Sequence, residues 1–293
     1  MMAKKWLIAL FCSAFLMNAT AHAGLFDDRF PSPKLNAMGG AGVAINSGIW
    51  AGYYNPAALS QVSRIGVGSS YQRIFNTPFL NNFFGAAAYP ISPKYGTIGV
   101  NIEYFGVDYE GENLTGEYAL RLSHGFDLLR DINSSLSFGY SLKFQYLTYG
   151  ESVGGQELGN ANVIGLDVGF QASVYSRTFV GVYFLNLNAP QVGSASPRDL
   201  PQRIVAGIAY QPYDGVTTTL DINRSLDANQ NELWGGAEFR VFDMLDLRFG
   251  GTTNPNRFTA GLGINFKQFS IDYALKTHSE LGETHVFGIL YGL

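Results

Sequence analysis

The chain has 293 residues, with 14% charged side chains, 14% aromatics, 35 glycines and a net charge of −4. An ordinary soluble domain is roughly 25% charged, and no basic stripe is present here to neutralise phosphates, which argues against nucleic acid as a partner. Beyond residue 23 no apolar run approaches the roughly 18 residues of a membrane helix, so few charges combined with many aromatics point to a transmembrane β-barrel.

Residues 1–23 read as a signal peptide. Lys4 and Lys5 form a positive n-region, Trp6 to Met17 an apolar h-region, and Ala21-His22-Ala23 a small-x-small cleavage site. Cleavage removes two of the 19 basic residues and none of the 23 acidic ones, which moves the net charge from −4 to −6. Cys12, the only cysteine, lies in the h-region. The mature chain, starting near Gly24, is therefore expected to use neither disulfides nor cysteine–metal chemistry.

Residues 24–62 show neither strand nor helix periodicity. Their centre, "MGGAGVAINSGIWAGYYNPAALS" from Met38 to Ser60, combines glycines, a proline and bulky apolar residues. Glycine permits close backbone approach, Pro56 stops a helix and holds Asn55 extended, and Ile49, Trp50, Tyr53 and Tyr54 supply apolar bulk. A plug folded inside a barrel needs all three properties. Gly39, Gly40, Gly42, Trp50, Asn55, Pro56 and Ala57 are its candidate plug or gate residues, with gating and simple filling both open as roles. "GGAGVA" does not lie between a strand and a helix, so it is not a phosphate loop.

Residues 63–293 alternate with period 2, as in "LSFGYSLKFQY", where Leu136, Phe138, Tyr140, Leu142, Phe144 and Tyr146 share one face. Fourteen segments are expected, at 63–74, 82–90, 96–105, 116–126, 135–147, 161–174, 178–186, 202–211, 215–223, 232–241, 245–251, 257–266, 268–276 and 283–293. Aromatics at their ends (Tyr104, Tyr118, Phe126, Tyr146, Tyr210, Phe266 and Tyr273) suit interfacial girdles. Long connections such as "GVDYEGENLTG" alternate with short turns such as "ISPK" and "PYDG", with "DLLRDIN" the exception. An all-β, even-stranded barrel of this kind puts both mature termini on the periplasmic side of a Gram-negative outer membrane. The alternate residues His285, Phe287, Ile289, Tyr291 and Leu293 resemble the C-terminal strand signal read by the outer-membrane insertion machinery.

Glu103, Arg121, Lys143, Asp167, Asp221, Glu238, Arg240, Arg248 and Asp272 fall on the face opposite the apolar one. Lys or Arg facing lipid at mid-depth costs about 2–4 kcal/mol, so these charges are expected in the lumen, paired across it. His124, His278 and His285 have no metal-ligand spacing, and Ser279, His278 and Glu280 are chain neighbours with no orienting partner. No cofactor, metal or enzymatic activity is expected.

"AMGGAGVA" followed by "YYNPAALS" resembles the N-terminal hatch of the outer-membrane long-chain fatty-acid transporter (FadL-like) superfamily, which includes the PorV/PorQ-like proteins. "LPQRIVAGIAYQP" (Leu200 to Pro212) resembles its strand opening after a long loop, and "FSIDYALKTHSELGETHVFGI" (Phe269 to Ile289) its closing hairpin. Two features depart from the family: Ile45-Asn46-Ser47-Gly48-Ile49-Trp50 stands where acidic residues often precede the motif, and the large extracellular loops are missing. The resemblance implies a fourteen-stranded plugged barrel embedded in outer-membrane lipid, passing small hydrophobic or amphipathic molecules passively. Its alternative implication is a PorV/PorQ-like component of type IX secretion that binds secreted-protein cargo. A transporter of this kind should have an apolar pocket beside the plug and a lateral gap in the wall near Gly99 or Gly106.

Overall fold

Strands that alternate polar and apolar side chains hide their polar face only by closing on themselves, and this chain does so. In the computed structural model, which describes residues 26, 29–151, 156, 159–193, 197–227 and 229–293, the wall is one closed antiparallel barrel. The expected signal peptide and the mature N-terminus near Gly24 lie outside the described residues.

The wall runs through β1 (Gly66–Arg73), β2 (Leu80–Ser92), β3 (Gly96–Tyr109), β4 (Glu112–Arg130), β5 (Ser134–Tyr149), β6 (Asn160–Val174) and β7 (Thr178–Leu185). It continues with β10 (Arg203–Tyr210), β11 (Val216–Ser225), β12 (Gln230–Phe242), β13 (Leu245–Thr252), β14 (Arg257–Phe266), β15 (Phe269–Lys276) and β16 (Thr284–Gly292). Two short strands, β8 (Gln191–Val192) and β9 (Arg198–Asp199), form a ribbon within the connection from β7 to β10. The seam is β1 against β16, paired from Gly66↔Gly292 to Arg73↔His285. Fourteen wall strands result, and each expected segment falls on one of them.

Two details differ from the expected connections. "GVDYEGENLTG" is not a loop: β3 and β4 run through it and turn at Glu110 and Gly111, both at positive φ. "DLLRDIN" is no exception either, because β4 continues to Arg130 through a bulge between Asp127 and Leu129 and leaves only 131–133 as the turn. A bulge adds an unpaired residue and breaks strict alternation, which is why the sequence pattern loses the strand there. With strands of 14 to 19 residues, β3–β6 form the tall side of the barrel, against 8 residues in β7, β10, β13 and β15. About 9–11 residues suffice to cross the hydrocarbon.

Outward positions carry Val100, Ile102, Leu120, Leu122, Leu142 and Phe144, all exposed. An exposed apolar belt of this extent needs lipid rather than water against it. Tyr104, Tyr118 and Tyr146 form one row of rings, at centroid spacings of 5.0 and 6.1 Å, and Phe126, Phe138 and Phe170 form another at 5.8 and 5.1 Å. Among the described residues no helix is long and apolar enough to cross a membrane.

Residues ahead of β1 fill the bore. Short helices at Pro33–Ala37 and Ala51–Tyr54 and 3-10 turns at Gly48–Trp50 and Pro56–Gln61 are too short to be stable alone. Burial holds them: Leu35, Met38, Val43, Ile49, Trp50 and Leu59 join wall residues Phe84, Tyr183, Leu185, Val205 and Trp234 in one core. Each such side chain contributes roughly 1.5–3 kcal/mol. The hydrophobic core of this protein is therefore the contact between plug and lumen.

Candidate functional site

The Asn55-Pro56-Ala57 turn seats the plug on the wall. Asn55 is fully buried and extended (φ −169°, ψ 107°), as the following proline requires. Its Nδ2 donates to the carbonyls of Val43 (2.8 Å) in the plug and Phe170 (3.0 Å) in β6, while its Oδ1 accepts from the Ala57 amide (3.1 Å). One side chain thus caps the 3-10 turn, ties two plug segments and anchors both to the barrel. Pro56 takes the first helical position, where its missing N–H costs nothing.

The wall facing this turn is stripped of side chains. A Cβ at Gly139 would fall inside the Pro56–Ala57 peptide, and one at Gly236 would lie 2.5 Å from Met38 Cα. Plug backbone therefore packs directly on wall backbone. Gly39 (φ +73°) meets the Gly235 and Gly251 carbonyls in the same way and donates its amide to Thr259 Oγ1 (3.0 Å). Gly40 also has positive φ (+82°), and Gly42 makes room for Leu35 and Tyr54. Asp221 accepts the amides of Gly42 (2.7 Å) and Val43 (3.0 Å), so a wall carboxylate holds the glycine-rich stretch. Trp50 lies 5% exposed in the core and Ala57 is fully buried.

The lumen charges form two networks. On the β3–β6 side Arg29 bridges Glu103 (3.1 Å) and Glu117 (2.5 Å), with its guanidinium 4.1 Å over the Phe105 ring. Tyr53 donates to Glu103 (3.0 Å), and Arg121 lies 3.9 Å over the Tyr53 ring and donates to the Gly52 carbonyl (3.0 Å). Asp167 binds Lys143 (2.8 Å) and the Tyr183 hydroxyl (2.9 Å). On the opposite side Arg248 joins Glu238 (2.6 Å), Asp246 (3.4 Å) and Asp272, while Lys34 reaches Glu238 (2.7 Å) and Arg240 reaches Asp246 (3.0 Å). Each network contains three cations and three carboxylates. Arg240 differs from the other expected charges: its side chain is 51% exposed, at the end of β12 beside a bulge.

Sequence reasoning missed Arg29, Lys34, Glu117 and Asp246. The last two had a signal, because each lies an even number of residues from an assigned lumen charge on its own strand, Arg121 and Arg248. Arg29 and Lys34 precede any periodic pattern and had none. Also missed was the apolar inner patch of Tyr183, Leu185, Val205 and Trp234.

That patch and plug residues Phe30, Tyr53 and Tyr54 line a small cavity of ≈ 20 Å³. A polar cavity of the same volume lies beyond it, lined by Arg29, Glu103, Arg121 and Gln145 among others. Phe30, Tyr53 and Leu185 line both. A cavity that admits benzene measures about 150 Å³, so the bore is shut as it stands. The expected apolar pocket exists only in this contracted form. No lateral gap opens at Gly99 or Gly106, where β3 pairs with β2 and β4 without a break. Leu59 packs on Gly99 from inside.

Phe26 donates its amide to Glu117 (2.9 Å) and packs on Leu147, Val163, Val192 and Leu200, at the end of the barrel that carries the long connections. Leu293 pairs with Ile65 at the opposite end. His278 Nδ1 accepts the amides of Glu280 (3.2 Å) and Leu281 (3.1 Å), which closes a loop and builds no triad. Among the described residues no cluster of His, Cys, Asp and Glu is placed to hold a metal ion.

No protein-family model and no curated protein matches the sequence. Solved structures do match in fold. The toluene transporter TbuX of Ralstonia pickettii aligns with a TM-score of 0.63 at 15% identity, over 92% of this chain and 100% of that one. The toluene transporter TodX of Pseudomonas putida gives 0.61 at 13% identity, over 94% and 99%. A FadL homologue of Pseudomonas aeruginosa gives 0.53 at 13%, over 89% and 98%. The fold is that of the FadL-type channels. At these identities the likeness is one of architecture alone.

Proposed function

We propose that this protein is an outer-membrane channel for passive passage of small hydrophobic or amphipathic molecules. The observation that carries the reading is the composition of the bore. A channel for ions or sugars would be lined by polar side chains throughout, whereas here Tyr183, Leu185, Val205 and Trp234 face the lumen against Phe30 and Tyr54. The architectural likeness to toluene transporters supports it. No energy coupling, cofactor or catalytic step enters this reading, and the secretion-component alternative has no separate observation in its favour. The contraction of both cavities makes the described state a closed one, so passage requires part of the plug to move.

The orientation that fits is one with the short turns and Leu293 on the periplasmic side and the long connections outside. The test is uptake of a labelled monoaromatic hydrocarbon by cells whose own channels of this fold are deleted. Expression of this chain should raise the initial uptake rate, and a rate equal to that of the empty vector would overturn the reading.

A further inference from the structure

The apolar cavity beside the plug has the walls of a site for one aromatic ring, and a ring of the plug already sits against them. Phe30 stacks on Tyr54 (centroids 5.4 Å apart, planes at 25°) and meets Trp234 edge-on (5.1 Å, 77°). These are the two arrangements that aromatic pairs prefer. The Phe30 backbone is held independently of its ring, because its carbonyl accepts from Asn36 Nδ2 (2.6 Å) and from Gln72 Nε2. Rotation of this one side chain, with the backbone in place, is the motion that vacates the ring site.

The polar atoms on the cavity wall say what an incoming ring should carry. Tyr53, Tyr54, Tyr183 and Trp234 line the cavity, but their polar tips are bonded elsewhere, to Glu103, the Ser32 amide, Asp167 and Glu232 in turn. Asp221 is different. It lines the same cavity and is fully buried. Its Oδ2 accepts the Gly42 and Val43 amides, while its Oδ1 has no hydrogen-bond partner among the described residues. Its register partners are Trp234 on β12 and Gly207 on β10, and Gly207 sets no side chain over it: a Cβ there would fall 2.0 Å from Oδ1. Two residues along the same face of β11, Asn223 is also fully buried with an unpartnered Oδ1. Unpartnered buried acceptors call for a donor. Arg203 lines the cavity as well, but Leu185, Val205 and the aromatic rings make most of the wall apolar, where a charged ligand is costly to desolvate.

We infer that this cavity is a binding site for neutral monocyclic aromatics that carry one hydroxyl or amino donor, the phenols and anilines. The ligand ring takes the place of the Phe30 ring, and its donor bonds Asp221 Oδ1. Phe30 is the placeholder and Asp221 the residue that sets specificity. This rests on the transport reading and narrows it, because it separates aromatics with a donor from plain hydrocarbons of the same shape.

Truncating Phe30 opens the site to measurement, since an apolar cavity of about 150 Å³ takes benzene. The full chain carrying Phe30→Ala, in lipid nanodiscs, is dialysed to equilibrium against p-cresol and against p-xylene, with empty nanodiscs subtracted. Both should bind. Adding Asp221→Asn keeps one oxygen for the two plug amides and puts an amino donor where Oδ1 was. The ratio of p-cresol to p-xylene affinity should then fall about tenfold, the worth of one hydrogen bond to a charged acceptor. Should the double variant fail to fold, the unaltered protein with isotope-labelled aspartate serves instead: its infrared difference spectrum should show an aspartate carboxyl band shifted by p-cresol and unmoved by p-xylene. Failure of Phe30→Ala to bind either probe, a ratio unchanged by Asp221→Asn, or a band that ignores p-cresol or answers to both would overturn the inference. Uptake of p-xylene by cells reports separately on the transport reading. Uptake with an unchanged ratio sinks only this inference, whereas a shifted ratio without uptake leaves the site and sinks the channel.

Discussion

The two lumen networks look alike by charge, yet they hold the plug in different ways. Around Arg248 the wall supplies most of the pairing: Glu238, Asp246 and Asp272 converge on one guanidinium, and Lys34 joins from the rim with a side chain 31% exposed. Around Glu117 the pairing comes from the plug, because Arg29 and the Phe26 amide are what that carboxylate holds. Without its plug cation each network is one positive charge short, but Glu238 keeps Arg248, whereas Glu117 has no wall partner among the described residues. Phe26 and Arg29 are thus held to the wall chiefly through one carboxylate, while the body from Pro33 to Gln61 is held mainly by burial, Asn55, Asp221 and backbone contact.

The comparison can be broken first at the body. Gly139→Leu puts a side chain into the Pro56–Ala57 peptide, so the wall should form while the plug is expelled. Planar-bilayer recordings should then show large, continuously open conductance, and a closed channel would show that the bore tolerates the bulk. Asn55→Ala strands the Val43 and Phe170 carbonyls and the Ala57 amide. At about 1–3 kcal/mol for a buried group left unpaired, the loss should reach roughly 2–4 kcal/mol, read as a lower urea midpoint for folding in lipid vesicles.

At Phe26 and Arg29 the effect should be local. Arg29→Ala should raise hydrogen exchange at the Phe26, Arg29 and Phe30 amides several-fold and leave the Asn55 region protected, whereas Lys34→Ala should change neither. Equal responses would dissolve the distinction between the two networks.

The smallest effect belongs to the loop at residues 277–283, remote from both. Partial burial, with Arg257 nearby, holds His278 below its usual 6.5, consistent with an Nδ1 that accepts two amides. A group whose folded value is depressed contributes stability that is present above pH 6.5 and fades as pH falls through the folded value. Loop exchange should therefore rise below pH 6, and a His278 titration midpoint above 6.5 would contradict this.

The wall was legible because a closed barrel imposes one period on every strand, and bulges such as that at Asp127–Leu129 are where legibility failed. The plug was legible in kind, since only a segment that must pack backbone on backbone needs glycine, proline and aromatics together. Its contacts were not. β7 is apolar on both faces, Phe179, Tyr183 and Leu185 inward and Val180, Val182 and Phe184 outward, so alternation says nothing about which face meets the plug. Arg240 shows a second gap: period 2 gives the face of a residue but not its depth.

Backbone contact between plug and wall constrains the order of assembly. The segment that fills the bore is joined to β1 at one end, and its arm reaches Glu117 and Leu147 at the other. Threading that arm later through a bore already narrowed to glycine would mean dragging Phe26, Arg29 and Phe30 past the wall residues that grip them. The β1–β16 seam must therefore zip shut around a plug already in place, which makes the segment ahead of β1 a template for the last strand to join.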